Sequence, residues 1–405
     1  MKKPRQSRAG IRPLRGITWD HPRGVDALSA CAAQFHRDTG IAVEWTARPL
    51  KAFEEIPIVE LARDYDLVAL DHPFIGDAVA DGALTALDDF WSAEDIEDRM
   101  HDSAGPSHAS YQWDGRLWGG AVDAACMVSA HQRDRVEPLE LPTHWREVEQ
   151  FAHRYGRESV LFAANPTHLW GTLLSLCEAV ADTDPLRRRH RHADARPDWF
   201  SDTGIEADVL TTALEHTSAA LRHCAPESLR CDPITVLKRL ADPTDAAIYS
   251  PLVFGYITYS WPTDRGAVVA FTDAPSLGRT GASVGTLTGG VGLSVSARSE
   301  LPSEAAEFVR YVTSRPIQQG LYSAAGGQCG RRSVWTDARI NEQVTDFYRG
   351  TLATMDRAFV RPRLPGYPAY QRAASHTVHA SLTAGTPTGH VVTALNRLWC
   401  EHVRS

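Results

Sequence analysis

The chain has 405 residues, 43% of them hydrophobic and 23% charged, and a formal charge of −8. That length suits two domains of roughly 150–200 residues each. The acidic balance speaks against a general nucleic-acid binder, which needs a basic face, and no run approaches the ~18 apolar residues of a membrane span.

In chain order, the first ninety residues alternate strand and helix. Leu14–Trp19 is expected as a strand and Val25–Thr39 as a helix, with Val25, Leu28, Ala32 and Phe35 on one face and Gly40 at its C-terminal cap. Strands are expected at Ile41–Trp45, Tyr65–Leu70 and Leu84–Leu87, with a helix from Phe74 to Gly82. Such βαβ units imply a mostly parallel sheet. Short strands follow at Tyr111–Trp113, Leu117–Val122 and Ala125–Ala130, broken by Asp114-Gly115 and Gly119-Gly120, a pattern expected where the chain crosses between domains.

Thr143 is expected to cap a helix over His144–Arg154. Val160–Ala163 is expected as a buried strand, His168–Val180 as a helix, and the basic run Arg187–His192 as a solvated loop. Helices are expected at Glu206–His223 and Pro233–Leu240, then strands at Ala246–Tyr249, Ala267–Phe271 and Val291–Val295. The glycines between Gly278 and Gly292 lack the Lys-Ser/Thr of a phosphate loop and are expected to permit close backbone approach. The remainder is helical: Ser303–Thr313, Pro316–Ala324, Glu342–Thr354, Ala369–Thr383 and His390–His402.

Seven cysteines lie scattered without a CxxC, which excludes zinc-ribbon and thioredoxin readings. Cys31 and Cys177 are expected as small buried residues. Cys224 and Cys231 are within pairing range in an oxidising compartment, although reduced thiols are the simpler expectation. Most of the Trp and Tyr residues are expected in the core.

Two stretches echo each other. Gly16–Gly24 and Leu67–Phe74 are apolar runs that end in Asp-His-Pro and hand over to a helix. In an open α/β sheet ligands settle beyond the carboxyl ends of strands, so the two tips predict a ligand cleft. Trp19, Asp20, His21, Arg23, Asp71, His72, Trp118 and Asp123 are the candidates on that side. Carboxylates accept hydrogen bonds, histidine donates and accepts, and together they suit a pair of hydroxyls. Each Asp also suits the cap of the helix that follows, with Pro22 and Pro73 at the first helical position. Since sequence neighbours rarely face one site together, one member of each Asp-His pair is expected to turn away. In the second half, His168, Trp170 and Tyr256 are candidates for ligand contact or for the core. Arg331, Arg332, Arg361 and Arg363 suit an anionic solute or, more simply, surface salt bridges.

The order of several motifs carries a resemblance. Tyr65-Asp66-Leu67-Val68 leads to Asp71, and Asp114-Gly115-Arg116-Leu117-Trp118-Gly119-Gly120-Ala121-Val122-Asp123 follows. Pro142-Thr143-His144-Trp145-Arg146-Glu147-Val148 comes next, and then Gly289-Gly290-Val291-Gly292-Leu293 before the helix over Ala305–Val312. The chain resembles the carbohydrate-binding, maltose-binding-protein-like family of extracellular solute-binding proteins of ABC transporters. The resemblance implies an α/β, periplasmic-binding-protein-like (type II) fold, two α/β lobes with a hinge and a ligand cleft. The first lobe is expected at 1–122 plus about 246–315, and the second, more helical lobe at 123–245 plus about 316–405.

The expected function is capture of a small sugar- or polyol-like ligand, with an ABC permease as partner if the protein is exported. No cofactor and no metal is expected. The alternative is a cytoplasmic enzyme that reuses the fold, with His21, His72 or Asp71 moving protons on a small metabolite. The positively charged start, MKKPRQSRAGIRPLR, lacks the apolar run of about 7–15 residues of a secretory signal. The sequence as written is therefore expected in the cytoplasm, or outside it if the true start lies upstream.

Overall fold

The computed structural model describes residues 11–49, 56–184, 196–262, 266–278 and 285–403. The chain divides into two units, Met1–Ser103 with Ser107–Ala124 and Gly290–Val334, and Ala104–Pro106 with Ala125–Gly289 and Trp335–Ser405.

The first unit is built on the strand Leu14–Trp19, which pairs in parallel with Val43–Arg48 on one side and Leu67–Leu70 on the other. Every residue of Leu67–Leu70 is buried, as expected of a strand covered on both faces. An antiparallel strand over Thr288–Ser296 then continues the sheet, pairing Gly292 with Leu70 and Val295 with Leu67. The helix Pro22–Thr39 buries Ala27, Leu28, Cys31, Ala32 and Phe35 along one stripe. Phe35 meets Phe308 of the helix Pro302–Val312 edge to face at 5.2 Å. Gly40 closes the first helix in the left-handed region, φ 80°, with its N–H donated to the His36 carbonyl.

The second unit is more helical. Pro166–Ala181 is apolar on nearly all sides, as a helix enclosed by its neighbours must be. It packs against Ala207–Arg222 and Tyr367–Ala384, and the latter against Thr388–His402. Aromatic rings fill this core: Tyr370 lies 5.7 Å from Trp170 and 5.0 Å from Trp399, which in turn lies 5.0 Å from Phe200. Strands Tyr249–Phe254 and Val269–Thr272 pair antiparallel with the second half of Gly120–Gln132.

Several expectations are corrected. The segments Leu117–Val122 and Ala125–Ala130 are not two strands: Gly120–Gln132 is one strand, all thirteen residues buried, and it carries the chain from the first unit into the second. Val160–Ala163 contributes a single bridge, Val160 to Tyr249, and the strand expected at Ala246–Tyr249 begins at Tyr249. Residues 246–289, expected in the first lobe, belong to the second unit because their strands pair there. Residues 316–334, expected in the second lobe, belong to the first. The helix expected over Glu342–Thr354 breaks at Thr345 and Asp346, both left-handed, into Ala338–Gln343 and Phe347–Arg357. Thr143 is not the cap of the helix Trp145–Tyr155. His144 is, with Glu147 reaching back to its backbone.

Other expectations hold. Cys31 and Cys177 are buried, and Cys224 and Cys231 are separate thiols that donate to the carbonyls of Leu221 and Glu227. Gly289 lies against the Phe254 ring and Gly290, at φ 115°, against the Asp123 carbonyl, where neither leaves space for a Cβ. The run Arg187–His192 lies outside the described residues. No helix among the described residues is long and apolar enough to cross a membrane.

Candidate functional site

The two Asp-His-Pro turns are neighbours. Gly16 pairs with Leu67 and Ile17 with Val68, so the parallel register, carried forward to the strand ends, brings Asp20 opposite Asp71. The Asp20 N–H donates to the Arg48 carbonyl at 2.6 Å and extends the pairing with Val43–Arg48. Three parallel strands thus deliver polar residues to one carboxyl-terminal edge of the first unit.

At this edge only the second Asp-His pair divides between solvent and core, so the expectation that one member of each pair turns away holds there and not at the first. Asp20 is exposed, and its carboxylate makes no ion pair among the described residues. It does not cap the helix, correcting one expectation: His21 does so, its Nδ1 accepting the Arg23 N–H at 3.2 Å. At the second turn the order is reversed. Asp71 keeps 21% of its side chain exposed and accepts the His72 N–H at 2.8 Å, while the His72 ring is fully buried, edge-on to Tyr111 at 6.5 Å. Asp20, His21 and Asp71 therefore face outward and His72 faces the core.

The remaining candidates of the first unit are structural. Trp19 is 4% exposed and lies against the backbone of Gly24, which holds it in the core rather than as a stacking platform. Arg23 and Asp123, each singled out for ligand contact, bind each other instead: Nε–Oδ2 is 2.7 Å and Nη2–Oδ1 2.5 Å, with both side chains buried. Burial pushes the Asp123 carboxyl up from its ordinary range, and the facing guanidinium pulls the other way. This bidentate pair ties the start of the helix Pro22–Thr39 to the strand Gly120–Gln132. Half-buried Trp118 donates its Nε1–H to the Trp113 carbonyl at 2.9 Å, and Arg116 lies over its ring at 5.6 Å.

Arg48, the last residue of its strand and paired in register with Trp19, is an edge residue that sequence reasoning passed over. It is 5% exposed, and burial lowers its guanidinium to about 10. An Arg closing an otherwise exposed strand was the available signal. Arg331, expected on the surface, is fully buried and clamps Asp98 at 2.7 Å. Arg363 and Arg361 are also buried.

In the second unit, His168 opens the helix Pro166–Ala181 with Nδ1 2.8 Å from the side chain of its cap, Asn165. Its ring is edge-on to Phe254 at 6.2 Å. Trp170 is a core residue, 1% exposed, which corrects its candidacy. Tyr256 is 7% exposed and precedes the short turn Ile257–Tyr259.

Buried histidines give the fold an acid limit. Burial lowers His168 and His131 to about 4 and holds His108 well below its ordinary value, where Arg331 and Arg99 add to the effect. The unfolded chain takes up these protons near pH 6.5, whereas the folded chain does so only near 4 at His168 and His131, and His108 too is held below its ordinary range. Stability is therefore complete above pH 6.5 and falls as the pH drops toward 4, by up to about 1.4 kcal/mol per pH unit for each group. Melting curves between pH 7 and 4 are expected to show this decline, with a shallower slope for His168→Gln. An unchanged slope counts against His168 as a contributor.

No model of a known protein family matches the sequence, and no curated protein does. Solved structures match over nearly the whole chain. It is similar to a maltose-bound MalE3 of T. maritima, at 16% identity over 96% of this chain and 99% of that one, TM-score 0.75. It is also similar to an ABC-transporter solute-binding protein of Thermotoga lettingae bound with α-D-tagatose, at 14% identity over 96% and 100%, TM-score 0.75. A third, from Agrobacterium radiobacter in complex with ribitol, matches at 20% identity over 96% and 99%, TM-score 0.71. The fold is thus the type II periplasmic-binding-protein fold, as the resemblance implied.

Proposed function

We propose that the chain is a solute-binding protein of the carbohydrate ABC-transporter type, which captures a small hydroxyl-rich ligand and delivers it to a permease. The likeness to sugar- and polyol-bound structures over 96% of the chain carries this reading. The edge of the first unit supports it chemically. Asp20 and Asp71 offer acceptors on adjacent strand ends, and ionised carboxylates bind hydroxyls with charge-assisted hydrogen bonds. His21 supplies an imidazole beside them.

The rival reading, proton transfer through His21, His72 or Asp71, loses one of its candidates to burial: the His72 ring has no exposed surface from which to reach a substrate. A thermal-shift panel of maltose, tagatose, ribitol and mannitol tests the proposal. A binding ligand at about a hundred times its Kd stabilises by about 2.7 kcal/mol. At least one sugar or polyol is expected to raise Tm by several degrees, and a panel without a single shift overturns the assignment.

A further inference from the structure

Away from the strand edge, the second unit brings together three side chains with the chemistry of a metal site. Glu149 and His153 are four residues apart on the helix Trp145–Tyr155 and so share one face. His223 follows the last turn of the helix Ala207–Arg222 and meets them from the other side. Glu149 Oε1 lies 3.6 Å from Nε2 of His153 and 3.6 Å from Nε2 of His223. One donor atom from each of the three falls within 4.8 Å of the others. Ligands around a tetrahedral zinc stand about 3.3–3.5 Å apart, given bonds of about 2.0–2.2 Å. The two Glu149–histidine spacings therefore need only a small contraction, and the two histidines close in from within 4.8 Å of each other.

Arg154, next on the helix, is turned to Glu140, while Arg146 lines the same groove as Glu149 and His223. Among the described residues the ion pairs of Glu149 are with the two histidines. Glu149 and His223 also line a groove of about 470 Å³, together with His144 and His216. Three protein ligands with a position left open toward solvent is an arrangement zinc accepts readily.

We propose that Glu149, His153 and His223 form a site for a zinc-class divalent transition metal, which ties the helix Trp145–Tyr155 to the end of Ala207–Arg222. The ion is held by one carboxylate oxygen and two neutral imidazoles, a hard-to-borderline donor set that suits Zn²⁺. The proposal is independent of the solute-binding reading.

Calorimetric titration of the full chain with Zn²⁺ and, separately, Co²⁺ tests it, with the variants E149Q, H153Q and H223Q and the triple variant. One high-affinity equivalent of Zn²⁺ is expected for the parent, weakened at least tenfold in each single variant and lost in the triple one. Bound Co²⁺ is expected to show the visible absorption of a low-coordinate site in the parent alone. Glu149 and His153 are 53% and 72% exposed, so their variants are expected to melt with the parent in EDTA and to lose the Zn²⁺-dependent rise in Tm. Parent and triple variant binding Zn²⁺ equally, through any of the other histidines, overturns the proposal. So does a parent whose titration shows no tight equivalent.

Discussion

Alanine at Arg23 or at Asp123 is expected to destabilise the protein by about 3–5 kcal/mol, the cost of leaving one buried charge without its partner. For a unit of this size that is a fall in Tm of roughly 6–20 °C. The two groups are 4% and 0% exposed and joined by two short hydrogen bonds, so neither has water to fall back on once the other is gone. Replacing both together, Arg23→Met with Asp123→Leu, is expected to recover most of the loss, since apolar residues of similar volume remove the desolvation penalty as well as the attraction. Denaturant melts of the two single variants and the double variant check this. Single variants within about 1 kcal/mol of the parent would show that solvent reaches the pair.

Asp71→Ala has the opposite signature. Its carboxylate is partly exposed and accepts a hydrogen bond from the His72 N–H, a capping contact worth about 1 kcal/mol, with Oδ1 also 3.0 Å from the His72 Nδ1. The unliganded variant is expected to melt close to the parent. A hydrogen bond from a ligand hydroxyl to a charged acceptor contributes about 1.5–3 kcal/mol, so sugar or polyol binding is expected to weaken by roughly ten- to hundredfold and the ligand-induced rise in Tm to vanish. Asp71→Asn keeps a cap acceptor and removes the charge, which separates the two duties. If Asp71→Ala unfolds while Asp71→Asn does not, the carboxylate is structural and the ligand role fails.

The first strand and its helix were legible because each pattern had one dominant cause. Leu14–Trp19 is an apolar run ended by Asp20, and the stripe Leu28, Ala32 and Phe35 repeats at helical spacing before a glycine that adopts the left-handed cap. The strand Gly120–Gln132 was legible only in pieces. A strand buried on both faces has no polar alternation to mark it, and Asp123 within it reads as a ligand group. The unit boundaries failed for a related reason: Tyr249–Phe254 takes its partner about 120 residues earlier in the chain, a choice that local pattern does not encode.

The candidate site divides in the same way. Adjacency of the Asp20 and Asp71 strand ends followed from βαβ geometry alone. Which of two neighbouring residues faces outward did not, because it turns on single dihedrals at each turn: His21 caps its helix, whereas His72 inserts beside Tyr111. Arg23 and Asp123 were each recognised as unusual, but their pairing spans a hundred positions and no spacing rule reaches that far.

The sheet order bears on how the protein is made. Leu67–Leu70 emerges early from the ribosome, yet the strand that covers its far side, Thr288–Ser296, follows more than two hundred residues later. At about 5–20 residues per second the nascent chain waits roughly ten seconds or longer with an apolar β edge uncapped. Such an edge pairs readily with other chains. Slowing elongation after Leu70 is therefore expected to lower the soluble yield without touching a single contact of the finished molecule.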